Sequence, residues 1–150
     1  MSKKITLLLL FFGLLAKGYG QHLFEEKFKG CAIDQFTLEK DSATVHLPDR
    51  ELLTIFLSGV APKERQKIRG ILTVQILVDG QGNSCLVSLR NETNLKTRKW
   101  HLPQAVAAGL KWPIPPKKVA LVLAVKFTEK GAQFRRFGVD NSLDWKVIKT

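Results

Sequence analysis

Two cysteines and three histidines are all that this 150-residue chain offers to thiol and imidazole chemistry. Cys31 and Cys85 stand far apart, so the C-x-x-C spacing of a redox catalyst is missing. His22, His46 and His101 show neither H-E-x-x-H nor H-x-H spacing, and neither a P-loop nor a G-x-S-x-G element is present. Ser42, His46 and Asp49 are close in sequence, but they fall on a turn-rich stretch, and triads are assembled by the fold rather than by adjacency. The expectation is therefore no catalytic residue, no metal and no cofactor. Carboxylates are also scarce: 13 Asp and Glu face 24 Lys and Arg, and the net charge of +11 is compatible with an anionic partner. With 45% hydrophobic and 25% charged residues the chain has the make-up of one folded domain, which excludes a disordered chain or a multi-span membrane protein.

Only one long apolar run occurs. Lys3 and Lys4 precede Ile5 to Ala16, broken by Thr6 and Gly13, and small residues follow at Gly18 and Gly20. That order is the one found in a secretory signal peptide, with cleavage expected after Gly20 and an uncleaved anchor as the alternative. Twelve helical residues rise about 18 Å against a hydrocarbon core of about 30 Å, too short for a comfortable permanent span. Export opens two fates for Cys31 and Cys85. They can form one disulfide, with a loop-closure contribution of about 4 kcal/mol, or remain two buried thiols; spacing alone does not choose.

Beyond residue 20 the charge is uneven. Residues 21–60 carry four basic and seven acidic groups, whereas residues 61–138 carry fifteen and four, so the basic character belongs to the second half. Lys96, Arg98, Lys99, Arg135 and Arg136 are the candidate basic patch, with Trp100 or Phe134 available for stacking. Residues 21–47 read as an N-terminal extension with short strands at Phe36 to Leu38 and Thr44 to Leu47. Pro48-Asp49 opens a helix in which Leu52, Leu53, Phe56 and Leu57 recur at three- and four-residue spacing until Gly59, and Pro62 to Ile68 gives another turn of helix. Ile71 to Val78 alternates as a strand, Asp79-Gly80-Gln81-Gly82-Asn83 supplies a tight turn, and Ser84 to Arg90 returns. On that second strand Cys85, Val87 and Leu89 are expected on one face, with Leu86, Ser88 and Arg90 on the other. Pro103 to Trp112 forms a further helix, three prolines force an extended link, and Val119 to Phe127 is the third strand.

From Pro48 to Lys130 this order resembles the TonB C-terminal domain. The residues that carry the likeness are Leu53 to Leu57 in the entry helix, Pro62, Gly70 leading into Ile71 to Val78, and the Asp79 to Asn83 turn. Val87 and Leu89, Ala105 to Leu110, and Trp112-Pro113 complete it. The resemblance implies an α+β domain, a three-stranded antiparallel sheet with helices mainly on one face, and extra strands contributed by either terminus. It also implies a non-catalytic module that binds an envelope protein or receptor peptide by β-strand addition, in transport across the outer membrane. The edge so used maps to Lys118, Val119, Ala120, Val122, Ala124 and Lys126, where main-chain groups give affinity and alternate side chains give selectivity. Lysines flanking that strand also suit a simple guard against aggregation. The family's retained anchor and long Pro-rich spacer are not matched, so a periplasmic or envelope binding role is expected rather than energy transduction.

The chain thus divides into a signal peptide (1–20), an extension (21–47), a TonB C-terminal-like domain (48–131) and a tail (132–150). The alternative function is a basic-surface binder of anionic lipid or lipopolysaccharide; export disfavours nucleic acid as the partner. Both a monomer and a strand-swapped dimer fit the sequence, and the tail either covers the third strand's edge or leaves it open.

Overall fold

A computed structural model describes residues 22–40, 46–139 and 144–148. The expected signal segment and the Thr44-Val45 part of an expected strand lie outside the described residues, as does Ser42. The elements in chain order are β1 (Glu26–Lys27), β2 (Thr37–Leu38), α1 (Asp49–Ser58), α2 (Pro62–Arg65), β3 (Gly70–Val78) and β4 (Ser84–Thr93). They continue with α3 (Leu102–Gly109), β5 (Val119–Thr128), β6 (Gly131–Phe137) and β7 (Lys146–Val147). The α+β class holds, and the sheet has seven strands: the three central ones (β3, β4 and β5), with β1 and β2 added from the N-terminal extension and β6 and β7 from the tail. Its order is β1-β4-β3-β5-β6-β7, antiparallel throughout, and β2 pairs in parallel with β5.

The helices pack on one face, as expected. Asp49 and Glu51 sit in the first turn of α1, where carboxylates complement the helix dipole, and Leu52 and Phe56 turn inward. Phe56 meets Phe134 of β6 at 6.2 Å between ring centroids. Leu72, Val74, Ile76 and Val78 of β3 fall on this face, with Val119, Leu121, Leu123, Val125 and Phe127 of β5 beside them. Gly109, near the end of α3, permits close approach to α1 rather than to the sheet, since an added Cβ would stand 2.9 Å from the Ile55 side chain. α3 ends earlier than the sequence suggested because Trp112 is recruited to the hairpin. Its backbone N–H donates to the Gly82 carbonyl at 3.0 Å and its indole N–H to Ser84 Oγ at 2.5 Å.

The expected alternation on β4 fails at one point. Gln75 pairs with Ser88 but Ile76 pairs with Leu86, leaving Val87 as the extra residue of a β-bulge. Leu86 and Leu89 therefore both join the helix-side core, and Val87 turns to the opposite face. There it meets Leu77 and Ala120 under a strap formed by the N-terminal extension, which contributes Cys31, Ile33 and Phe36.

That strap is fastened at both ends. β1 pairs Glu26 with Leu89 and Lys27 with Ser88, the Leu23 N–H donates to Gln75 Oε1 at 3.0 Å, and Arg90 binds Glu25 at 2.8 Å. Cys31 and Cys85 are joined in a disulfide with their Cα atoms 5.7 Å apart, which resolves the alternative left open by the sequence. Lys118 Nζ then donates to the Ala32 carbonyl at 2.9 Å and to Asp34, whose carboxyl it holds below the ordinary aspartate range together with nearby backbone N–H groups.

The hairpin turn between β3 and β4 is organised by Asp79. Its Oδ1 accepts from the backbone N–H of Gln81 at 2.8 Å and of Asn83 at 2.9 Å. Burial on its own would raise this carboxyl, but the Asn83 and Gln81 N–H groups, the Asn83 side chain and the charge of Lys111 together leave it lowered. A lowered folded-state pKa means the turn's contribution is complete at neutral pH and is lost as pH falls through the ordinary aspartate range towards the folded value. Asp79→Ala is expected to lower stability at pH 7 and to flatten the acid limb of the stability curve. Urea midpoints of both proteins from pH 7 to pH 2 test this; parallel curves would contradict it.

Candidate functional site

The edge expected to receive a partner strand is closed. β5 lies inside the sheet, paired with β3 along one side from Val119 to Phe127. Along its other side β6 pairs with Val122 to Thr128, and β2 pairs with Val119 and Ala120. The Thr37 N–H donates to the Lys118 carbonyl at 3.2 Å and the Glu39 N–H to the Ala120 carbonyl at 3.0 Å. Lys118, Val119, Ala120, Val122, Ala124 and Lys126 therefore do not form a free binding edge, because the chain's own tail and extension take up the main-chain groups. Beside this seam Arg136 binds the buried Glu39 carboxylate through two nitrogens, at 2.6 and 2.7 Å.

The opposite edge is blunted as well. β1 covers part of β4, and the Thr93 N–H is taken by Asn91 Oδ1 at 3.1 Å.

The predicted basic patch separates into two places. Arg135 and Arg136 are neighbours on a strand, so the two-residue period sends them to opposite faces. Arg136 turns to the helix side with Phe134, while Arg135 goes to the other face and lies 4.8 Å over the Phe137 ring. On that same face Lys126 stands 5.8 Å over the Trp145 ring. Two cations stacked on two aromatics thus lie on the β5–β6 portion of the sheet, next to β7. Phe137 is 37% exposed and Val147 of β7 is 66% exposed. Cation–aromatic pairs of this kind contribute roughly 0.5–1 kcal/mol each at exposed sites and keep their long side chains arranged. Trp, Phe and Arg brought together with an exposed aliphatic residue is the make-up found at the energetic centre of protein interfaces.

Lys96, Arg98 and Lys99 lie elsewhere, in the loop after β4. With Lys67 and Glu64 they line a depression of about 310 Å³. A separate depression of about 150 Å³ is lined by His46, Asp49, Arg135, Arg136, Asp144 and Lys146 among others. His46 and Asp49 thus line the same depression, together with charges of both signs.

Among the described residues no helix is long and apolar enough to cross a membrane, and no three His, Cys, Asp or Glu side chains are grouped as metal ligands. The sequence reading missed the Lys126–Trp145 and Arg135–Phe137 pairs. The alternation of Gln133, Arg135 and Phe137 along one strand face was the available signal for the second. Comparison with protein-family models, with curated proteins and with solved structures finds no match to this chain.

Proposed function

We propose that this protein is a non-catalytic recognition module of the cell envelope that docks an acidic segment of a partner protein on the face formed by Lys126, Arg135, Phe137, Trp145 and Val147. The observation that carries this reading is the pair of cation–aromatic stacks beside exposed aliphatic surface. The acidic character of the partner segment follows from charge complementarity with Lys126 and Arg135. The signal-like order of residues 1–20 and the Cys31–Cys85 bond support a place in an oxidising compartment outside the cytoplasm. The order of helices and strands from α1 to β5 is compatible with the resemblance to the TonB C-terminal domain. Docking differs from the strand addition that the resemblance implies, since the corresponding edge is already paired.

The test is site-specific photo-crosslinking in exporting cells, with a photoreactive residue replacing Phe137 in one strain and Ile114, which is 73% exposed, in another. The expected result is a discrete protein adduct from position 137 that falls at least fivefold with Arg135→Glu and is weak from position 114. No adduct at 137, or equal adducts at both positions, would overturn the reading.

A further inference from the structure

The depression after β4 is remote in sequence from the proposed docking face and has a different chemistry. Its walls come from two segments tied to each other: Asn94 Nδ2 donates to the Lys67 carbonyl at 2.8 Å, and Asn94 Oδ1 accepts from the Arg69 N–H at 2.9 Å. The loop is anchored from below, where Leu95 and Trp100 are buried and Trp100 packs at a tilt against Phe127, 5.5 Å between centroids. Asn91 Nδ2 holds it from the side, donating to the Leu95 carbonyl at 2.7 Å and to Thr97 Oγ1 at 3.1 Å. The backbone between the cations is therefore fixed before any ligand arrives.

Four cationic side chains line this depression against one carboxylate, and Glu64 is already engaged by Lys99. Lys67, Lys96 and Arg98 have no carboxylate partner among the described residues. By contrast Arg65 and Arg69 beside them are spent on backbone carbonyls, of Val60 in one case and of Gln66 and Ile68 in the other. The Glu26 carboxylate accepts from Thr97 Oγ1 at 2.7 Å and offsets part of this charge, but three cations lining one depression still repel one another, and a multiply charged oxyanion relieves that repulsion while accepting hydrogen bonds. An aromatic or aliphatic ligand gains little there, since the cations dominate the rim.

We infer that Lys67, Lys96 and Arg98 form a binding site for a phosphate group. The guanidinium of Arg98 supplies a planar fork matched to two phosphate oxygens, and the two ammonium groups act as point charges on the others. A phosphate group reaches such a site either as the headgroup of an anionic lipid or as a free anion.

The experiment measures binding of the protein purified after export to inorganic phosphate by calorimetry, and to phosphatidylglycerol-containing vesicles by sedimentation with phosphatidylcholine vesicles as the reference. Each measurement is made at low and at physiological salt. Wild type is compared with Lys96→Gln/Arg98→Gln and with Lys117→Gln/Lys130→Gln, which removes the same charge from exposed positions elsewhere. Binding of either probe at both salts is expected, reduced at least tenfold in the Lys96/Arg98 variant and less than twofold in the control. A response to vesicles alone identifies a lipid headgroup, and a response to inorganic phosphate identifies a free anion; both support the site. Equal losses in the two variants, or no binding of either probe, would overturn it.

Discussion

Replacing both Cys31 and Cys85 with serine is expected to cost about 4 kcal/mol, the loop-closure contribution of a cross-link spanning 54 residues, and to lower the melting temperature by on the order of 10 °C. The loss should be spatially uneven. The bond fastens the strap to β4 just before the strap crosses Leu77 and Ala120 and joins β5 as β2. Without it, the strap is held by two-residue strand pairings, by the Arg136–Glu39 pair and by exposed ion pairs such as Arg90–Glu25 and Lys118–Asp34, which solvent screens. Amide exchange at Thr37 and Glu39 should then quicken far more than exchange at Val74 or Leu123, whose strand is paired on both sides. Unchanged melting and unchanged protection at Thr37 would show that the strap is held by packing alone.

Phe134→Ala is expected to cost about 3–5 kcal/mol, the range for truncating a buried aromatic whose cavity cannot fully collapse. Phe134 is 3% exposed and joins the core shared by α1, β3 and β5. The same geometry predicts that a chain ended after Gly131 does not melt cooperatively near the wild-type temperature. It loses all of β6 after Gly131, including Arg136, which binds the buried Glu39 carboxylate. A truncated chain with wild-type urea and thermal midpoints would mean that the tail merely lies over an edge.

The parts of the fold that were plain from the sequence are those where periodicity and burial coincide. Val119, Leu121, Leu123, Val125 and Phe127 alternate without interruption and all reach the helix-side core, as do Leu72, Val74, Ile76 and Val78. Pattern gave no warning of the bulge at Val87, because Leu86, Val87, Ser88 and Leu89 are all buried; the register is set by pairing with β3 rather than by hydrophobicity. The extension was opaque for a related reason. Its strands are two residues long, and its apolar side chains serve a small cluster on the far face, so no period develops.

The site was read less well than the core, and the reasons are geometric. Arg135 and Arg136 look like one basic patch on paper, but a strand separates them to opposite faces, and Arg136 is consumed by Glu39 from 97 residues away. The edge of β5 looked available because β2 and β6 lie outside the span that carries the family resemblance. Lys126 and Trp145 are brought together only by the ordering of β5, β6 and β7, which no local pattern encodes.

The proposed recognition uses the cation–aromatic face rather than the edge of β5. The most direct measurement is crosslinking from position 137 compared with position 118, in intact exporting cells, with wild-type and Arg135→Glu backgrounds. An adduct with an envelope protein is expected from position 137, dependent on Arg135, and none from 118, where Lys118 is occupied by the strap. An adduct from position 118 that is indifferent to Arg135 would contradict it and would mean that the strap yields to an incoming strand.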